Sequence, residues 1–481
     1  MDILVLMKHR LLILILFILQ IDLYAQFGYA YGNSGYNYGG SVCTTKTDSG
    51  FLLLGSSSWY SNGNLDFFLL KSDSLGKIKW ARNYGSNKIE KACDILNYND
   101  SNFYLTGFTN DNPTGDFNIN IIKIDQTGDV LFNKQLGTDS WDFISKTILA
   151  PDTTILIAGQ SYKKQNYNGD AYFIKLNLNG DTLCTKFWGD STEDKFNYVD
   201  YSNKIITLSG FTTNMQNVKK AVLVKYNDAL NPIDTFIFQH NFDSEFYSAK
   251  LIKDNKTLAL GYIKSSNQSL IHGFICLLDS NYNLIWLDST SNNGDEYWKD
   301  FVTLSNNDIV ITGGTKLYGN GGYGYYDINT IHFSEGLGFK SSKTYGGIFE
   351  DTPTQLISLN DSTMAIIGNT ANFGPSYNHI FFLKFNLNNY FINPESFLIG
   401  KEEFNSNIYS LSPNPAKDFI KIRGIKEKTT IKVYNLNGQL VFSELIGPEN
   451  VVLSLKNLNK GCYIFEVNLQ DHQEHFKIIK E

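Results

Sequence analysis

The sequence predicts an all-β protein, a seven-bladed β-propeller of four-stranded blades followed by a small C-terminal β-sandwich. Three observations carry that expectation. Short apolar runs with a late glycine recur at a nearly constant interval. Each interval holds strand-like segments separated by turn residues. A fragment near the N-terminus supplies the one strand that the last interval lacks.

The runs are FLLLGSS (Phe51–Ser57), FYLTGFT (Phe103–Thr109), ILIAGQS (Ile155–Ser161), IITLSGFT (Ile205–Thr212), LALGYIK (Leu258–Lys264), IVITGGT (Ile309–Thr315) and MAIIGNT (Met364–Thr370). Their glycines are Gly55, Gly107, Gly159, Gly210, Gly261, Gly313 and Gly368, spaced by 52, 52, 51, 51, 52 and 55 residues. A period of this size marks a repeat architecture in which one supersecondary unit recurs. Each unit opens with a mixed strand such as SVCTTKT, turns through residues rich in Asp, Asn and Ser, and enters the apolar run. A variable loop then leads to a third strand, as in DFFLLKSD (Asp66–Asp73) or DAYFIKLN (Asp170–Asn177), and a turn such as NLNGD opens a fourth. Short β-branched and aromatic runs bounded by turn residues read as strands, and four per unit is the propeller-blade pattern.

The seventh unit has only three such strands, ending at His379–Asn386. The missing strand resembles QFGYAYGN (Gln26–Asn33), which looks like the unit endings KWARNYGS (Lys79–Ser86) and CTKFWGD (Cys184–Asp190). Phe27–Gly32 is therefore expected to close the last blade and remove a free sheet edge. A rival, Phe397–Gly400, lies 54 residues after Gly346. The N-terminal strand is preferred because Asn388–Ser396, with Pro394, reads as an exit linker.

Before the repeats, Lys8, His9 and Arg10 precede an apolar run, Leu11–Leu19, and Leu23-Tyr24-Ala25 ends in a small residue. This is the layout of a signal peptide cleaved after Ala25. The expected divisions are residues 1–25 as signal peptide, 26–393 as propeller, 394–407 as linker and 408–481 as sandwich. No cysteine follows the cleavage site, so no lipid anchor is expected, and no membrane span is expected in the mature chain. A net charge of -7 gives no basic footprint for nucleic acid. The five cysteines are scattered and without metal-ligand spacing, so they read as small apolar residues.

After residue 407 come IYSLSPNPAKDFIKI (Ile408–Ile422), TTIKVYNLNGQLVFS (Thr429–Ser443), VVLSLKNLNKGCYIFEV (Val451–Val467) and HFKIIKE (His475–Glu481), with an Asn437-Gly438 turn. The order and spacing of Pro413, Asn414, Pro415 and Ala416, of Val433-Tyr434-Asn435 with Gly438, of Gly461 and Tyr463, and of Lys477 and Lys480 resemble the type A C-terminal sorting domain of Bacteroidetes type IX secretion. Leu411 and Ser412 stand where an aromatic residue is commoner. The resemblance implies a signal read by the type IX machinery at the outer membrane, with the passenger released or attached to the surface. The repeat region also resembles, more loosely, the propellers of such exported proteins, which implies fold and not chemistry.

Repeated residues call first for repeated structural roles. Lys71, Lys123, Lys175, Lys225 and Lys384 share one third-strand position and are expected along outer blade surfaces. Glu90, Asp142, Asp194, Glu245, Glu296 and Glu350 form a row expected to accept backbone hydrogen bonds in blade-to-blade turns rather than to hold a metal. Departures from the repeat are the better functional candidates. The loops between second and third strands hold Trp59, Tyr60, Tyr162, Tyr318, Tyr323, Tyr325, Tyr326, Phe373 and Tyr377. On one face, aromatic rings beside acceptors suit a glycan or a protein partner. The seven histidines are dispersed, no nucleophile elbow or nucleotide loop is present, and no catalytic residue, metal ligand or cofactor is assigned. The reading is a non-enzymatic exported recognition or adhesion module. The alternatives are a propeller polysaccharide hydrolase or lyase using Glu296, Asp327 or Glu350, and a structural surface scaffold.

Overall fold

The computed structural model describes residues 27–481, except for 33–34, 59–60, 62–63, 163–167, 267–269, 291–293, 318–323, 373–377, 389–397, 400–409, 413–415, 424–427, 436–437, 448–450 and 469–472. The chain divides into two compact units, residues 1–400 and 401–481.

The first unit is a ring of seven antiparallel blades. In blade 1 the strands run Asn37–Thr45, Gly50–Ser57, Asp66–Ser72 and Ile78–Tyr84, paired in chain order from the axis outward. The innermost strands of blades 2 to 7 are Glu90–Asn97, Trp141–Leu149, Asp194–Ser202, Ser244–Leu251, Glu296–Thr303 and Asp351–Ser358. Second strands are buried almost throughout, as in Gly50–Ser57, while outer strands such as Val130–Leu136 alternate towards solvent. The apolar cores lie between adjacent sheets. Leu52, Leu54 and Phe67 of blade 1 pack with Phe103, Leu105 and Ile122 of blade 2, and this pattern recurs around the ring.

Phe27–Tyr31 pairs antiparallel with His379–Asn386, from Phe27 opposite Lys384 to Tyr31 opposite Ile380, and is the fourth strand of blade 7. It also makes the bond expected of a fourth strand. The Tyr31 hydroxyl donates to the Gly76 carbonyl at 2.6 Å, just as Tyr84 of blade 1 donates to Gly128 of blade 2 at 2.7 Å. The rival segment has its own place, since Leu398–Ile399 adds parallel to Phe27–Tyr31 as a fifth strand. Across the closure, Phe51 meets Phe382 edge-on with centroids 4.9 Å apart. The Gln355 Oε1 of blade 7 accepts from Val42 N and Ser41 Oγ of blade 1 at 2.8 and 2.9 Å.

The third-to-fourth-strand turns of blades 1 to 5 are Asx turns, and Ser334 takes the Asx place in blade 6. Asp73 Oδ1 accepts from the N–H groups of Leu75 and Lys77, and Asp125, Asn177 and Asp279 do the same in later blades. Gly76, Gly128 and Gly180 occupy the left-handed position there, and Leu230, Tyr282 and Leu337 take it in blades 4 to 6.

One expectation fails. The repeated third-strand lysines do not lie along outer surfaces in every blade, because Lys71, Lys225 and Lys384 are buried. Lys71 Nζ reaches Asp48 Oδ1 in its own blade at 2.8 Å, and Lys175 reaches Asp152 in the same way. Lys225 donates to Ser280 O and Lys384 to Ser74 O, each in the turn of the next blade. A long side chain with one charged end can bury its stem and still satisfy its head.

The second unit holds a three-stranded sheet, Ser410–Ser412, Phe419–Arg423 and Val451–Ser454, and a four-stranded one, Leu440–Ile446, Thr429–Asn435, Gly461–Asn468 and Gln473–Lys480. Its core is Ile420, Ile422, Ile431, Val433, Leu453, Leu455, Phe465, Val467 and neighbours.

Candidate functional site

The conserved-looking glycine of each repeat has one physical cause. Every innermost strand carries a β-bulge at the same height, between Gly39 and Ser41, Ala92 and Asp94, Ile144 and Lys146, Phe196 and Tyr198, Phe246 and Ser248, Trp298 and Asp300, and Pro353 and Gln355. The residue before each bulge pairs with the repeat glycine. A Cβ on that glycine would meet the preceding carbonyl oxygen at 2.3 Å for Gly55, 2.1 Å for Gly107 and 1.8 Å for Gly210. The glycine therefore makes room for the bulge, and the bulge re-aims the residues of the innermost strand.

Those residues line a cavity of about 680 Å³ at the centre of the ring, to which the innermost strands of all seven blades contribute. Its charged lining is four lysines, Lys91, Lys146, Lys195 and Lys299, and two aspartates, Asp94 and Asp300. Both aspartates are engaged in blade-to-blade latches. Asp94 accepts from Lys146 Nζ and from Thr147 N of blade 3, each at 2.6 Å. Asp300 accepts from Lys250 Nζ of blade 5 at 2.9 Å and Leu356 N of blade 7 at 3.1 Å. Burial pulls the Lys146 pKa down, but Asp94 and Asp300 outweigh it and hold the group above its usual value. For Lys195 and Lys299 burial prevails and the pKa falls, with Lys195 itself pushing Lys299 down further.

Aromatic rings border the cavity on two sides. In blades 2 and 3, Phe143 meets Phe108 at 5.0 Å and Tyr162 at 5.8 Å, with Phe117 and Trp141 beyond. In blades 5 and 6, Tyr247 meets Tyr297 at 5.9 Å, and Tyr297 meets Tyr326 at 5.1 Å. Lys91 lies 5.6 Å from the Tyr38 ring and Lys299 4.7 Å from that of Tyr247.

Of the loop aromatics singled out from the sequence, Tyr162 lines this cavity. Its hydroxyl donates to Glu193 Oε1 at 3.2 Å, and burial, then Glu193, push its pKa up to about 12. Tyr326 joins the second aromatic run. Tyr325 is exposed and stands against Phe349, with centroids 5.9 Å apart. Trp59, Tyr60, Tyr318, Tyr323, Phe373 and Tyr377 lie outside the described residues. The cavity lysines and Phe108, Phe143, Tyr247 and Tyr297 lie on strands, away from the loops in which the sequence suggests a site. Their signal is in the sequence, since the lysines, Phe143, Tyr247 and Tyr297 sit on strands facing a repeat glycine and Phe108 directly follows Gly107.

The row of acids is a structural series. Glu90, Asp142, Asp194, Glu296 and Asp351 occupy one position, each directly opposite the residue two beyond the repeat glycine: Thr109, Ser161, Thr212, Thr315 and Thr370. Asn37 and Ser244 take the place in blades 1 and 5. The row thus includes Asp351 rather than Glu350, which is exposed, and Ser244 rather than Glu245, one residue off. Glu90 accepts from Ser86 N at 3.1 Å, Asp142 from Thr138 N at 2.6 Å, Asp194 from Asp190 N at 3.0 Å and Asp351 from Gly347 N at 2.9 Å. Burial raises the Asp194 pKa to about 6. Burial first, then the charge of Asp327, raises that of Asp351 to about 7. Glu296 and Asp327 are buried at these joints.

In the second unit, Ala416 is fully buried. Its N–H donates to Ile479 O at 2.7 Å, and Glu481 N–H returns to its carbonyl at 2.9 Å, so the motif residue is bound to the last strand. Tyr463 is buried and donates to Asn459 O at 2.9 Å. Gly438 takes a positive φ of 76° in the turn closed by Gly438 N to Asn435 O. Gly461 opens the strand that pairs with the last one, with Gly461 opposite Lys480 and Ile464 opposite Lys477. Pro413, Asn414 and Pro415 lie outside the described residues.

Residues 408–481 match the family model described as "Secretion system C-terminal sorting domain". No curated protein sequence matches the chain. Among solved structures the chain is similar to Sqt1 from Chaetomium thermophilum, at 9% identity and TM-score 0.44, covering 78% of this chain and 88% of that one. It is also similar to the β-propeller domain of the Trilobed protease from Pyrococcus furiosus, at 11% identity and TM-score 0.42, covering 76% and 97%. The polysaccharide lyase Uly1 is similar at 10% identity and TM-score 0.45, covering 75% and 92%. Likeness at this level bears on fold alone. The chain thus carries a type IX secretion C-terminal sorting domain behind a propeller of seven four-stranded blades, and that domain implies passage across the outer membrane, to release or to surface attachment.

Proposed function

We propose that this exported protein is a non-enzymatic recognition module, and that its ligand, a glycan or a protein segment, enters the central cavity. The observation that supports the reading is the cavity itself. It is of ligand size, bordered by aromatic rings on two sides, and its aspartates are already engaged. Flat apolar faces beside polar groups suit sugar rings, which stack while their hydroxyls find partners. The carboxylates that a hydrolase would use, Glu296, Asp327 and Glu350, sit elsewhere, the first two buried within the blades and the third on an exposed turn. In this reading the leader is removed after Ala25, the stretch between the fifth strand, Leu398–Ile399, and residue 408 serves as linker, and the sorting domain delivers the propeller to the cell surface or beyond.

The test is a binding screen of the purified protein against neutral and acidic oligosaccharides and peptides, with product analysis of every hit. Phe143→Ala and Tyr247→Ala should each weaken a true ligand about tenfold, the loss of one stacking face. Turnover of a hit would replace this reading with an enzymatic one. Binding that ignores both substitutions would move the site to the outer loops.

A further inference from the structure

Three cavity lysines come from alternate blades: Lys91 from blade 2, Lys195 from blade 4 and Lys299 from blade 6. Among the described residues none of the three forms an ion pair, whereas Lys146 and Lys250 of the same strand set do. Lys195 and Lys299 are removed from solvent enough for burial to lower their pKa. The lining aspartates cannot serve them, because Asp94 and Asp300 each hold another lysine and a backbone N–H. Glu245, whose charge reaches both lysines, is held by Asn197 Nδ2 at 2.7 Å and Tyr262 OH at 3.2 Å. Desolvated cations without a carboxylate in contact lower stability, and a protein of net charge -7 gathers them here.

We propose that the cavity is an anion site, in which Lys195 and Lys299, with Lys91 at hand, receive the carboxylate or sulfate of an acidic saccharide whose ring lies against Phe143 or Tyr247. The inference rests on the recognition reading above and names its ligand class. Two ammonium groups supply the charge-assisted hydrogen bonds that an anionic oxygen requires. The neighbouring aromatic faces favour a sugar-borne anion over a bare ion.

Calorimetric titration of the full protein with an oligogalacturonate, its methyl ester, a sulfated oligosaccharide and poly-glutamate tests this. The acidic saccharide should bind at least about tenfold more tightly than its methyl ester, and more weakly as salt rises. The carboxylated and sulfated probes then distinguish the two sources of the charge. Lys195→Gln and Lys299→Gln should each abolish that preference, while Lys186→Gln on an exposed outer strand should leave it intact. Equal affinity for acid and ester overturns the anion site but leaves recognition standing. Binding of poly-glutamate without either saccharide overturns the saccharide class. Failure of all four probes overturns the anion site, and only failure of the neutral glycans and peptides of the wider screen as well sinks recognition.

Discussion

The same seven strands line the cavity at two heights, and lysines are treated differently at each. Above and at the bulge stand Lys91, Lys195 and Lys299, with no carboxylate in contact among the described residues. Beyond it, Lys146 and Lys250 are locked to Asp94 and Asp300, which also cap N–H groups of the adjoining blade. A buried cation with a carboxylate and a backbone donor sharing the load is a joint. A half-buried cation without one, as at Lys195 and Lys299, is what the proposed anion site turns on. The difference separates what holds the ring from what the ring holds.

The largest effect should come from breaking a joint. Asp94→Ala leaves Lys146 and the Thr147 N–H without their acceptor, and Asp300→Ala does the same to Lys250 and Leu356. Each is expected to cost about 3–5 kcal/mol in denaturant unfolding. A loss below 1 kcal/mol would erase the distinction between the two heights.

Gly210→Ala acts on the bulge itself. Its new Cβ would lie 1.8 Å from the Lys195 carbonyl oxygen, so the strands must part. About 2–3 kcal/mol of stability should go, with ligand affinity falling as Lys195 moves. Wild-type stability would mean that the bulge is not what the glycine serves.

Asp351→Asn tests the acid series against the joint lysines. The folded pKa of about 7 lies above the unfolded value, so the protonated carboxyl stabilises the native state. That contribution is complete below about pH 4 and is lost as pH rises through 7. Asparagine, which blade 1 carries at this position as Asn37, keeps the neutral form at every pH. The variant should therefore melt several degrees higher than wild type at pH 8 and within a degree or two at pH 4. A constant gap across the range would contradict the raised pKa.

The smallest effect belongs to Lys299→Met. Removing a desolvated cation that faces the Tyr247 ring but has no carboxylate in contact should leave stability within about 1 kcal/mol of wild type. A loss of 3 kcal/mol would reveal a partner and make this lysine another joint.

The repeat, the four strands and the closing strand were legible because each is written in local pattern: a glycine every 52 residues or so, an Asx turn, an apolar run. The cavity was not, although its key was in plain view. Gly107 and Gly210 were read as period markers, while their consequence, a carbonyl pressed against them from the neighbouring strand, needs the pairing register. Lys91 and Lys195 look like ordinary solvated charges until that register places them at the axis. The third-strand lysines misled for the opposite reason, because a charge on an alternating strand suggests solvent and Lys225 instead finds a carbonyl in the next blade. Glu350 and Asp351 are neighbours, and the five-residue spacing from the fourth-strand glycine, Gly346, already selects Asp351, as the strand pairing confirms.

The strand Phe27–Tyr31 has a bearing on how the chain is made and moved. Its partner lies about 350 residues downstream, so the contact that closes the ring joins the farthest ends of the propeller. During N-to-C synthesis or translocation, six blades can be assembled while blade 7 still shows an unpaired edge. The finished circle must wait for His379–Asn386, almost the last propeller residues to emerge. The fold thus contains its own delay: a chain still threading through a membrane cannot yet latch.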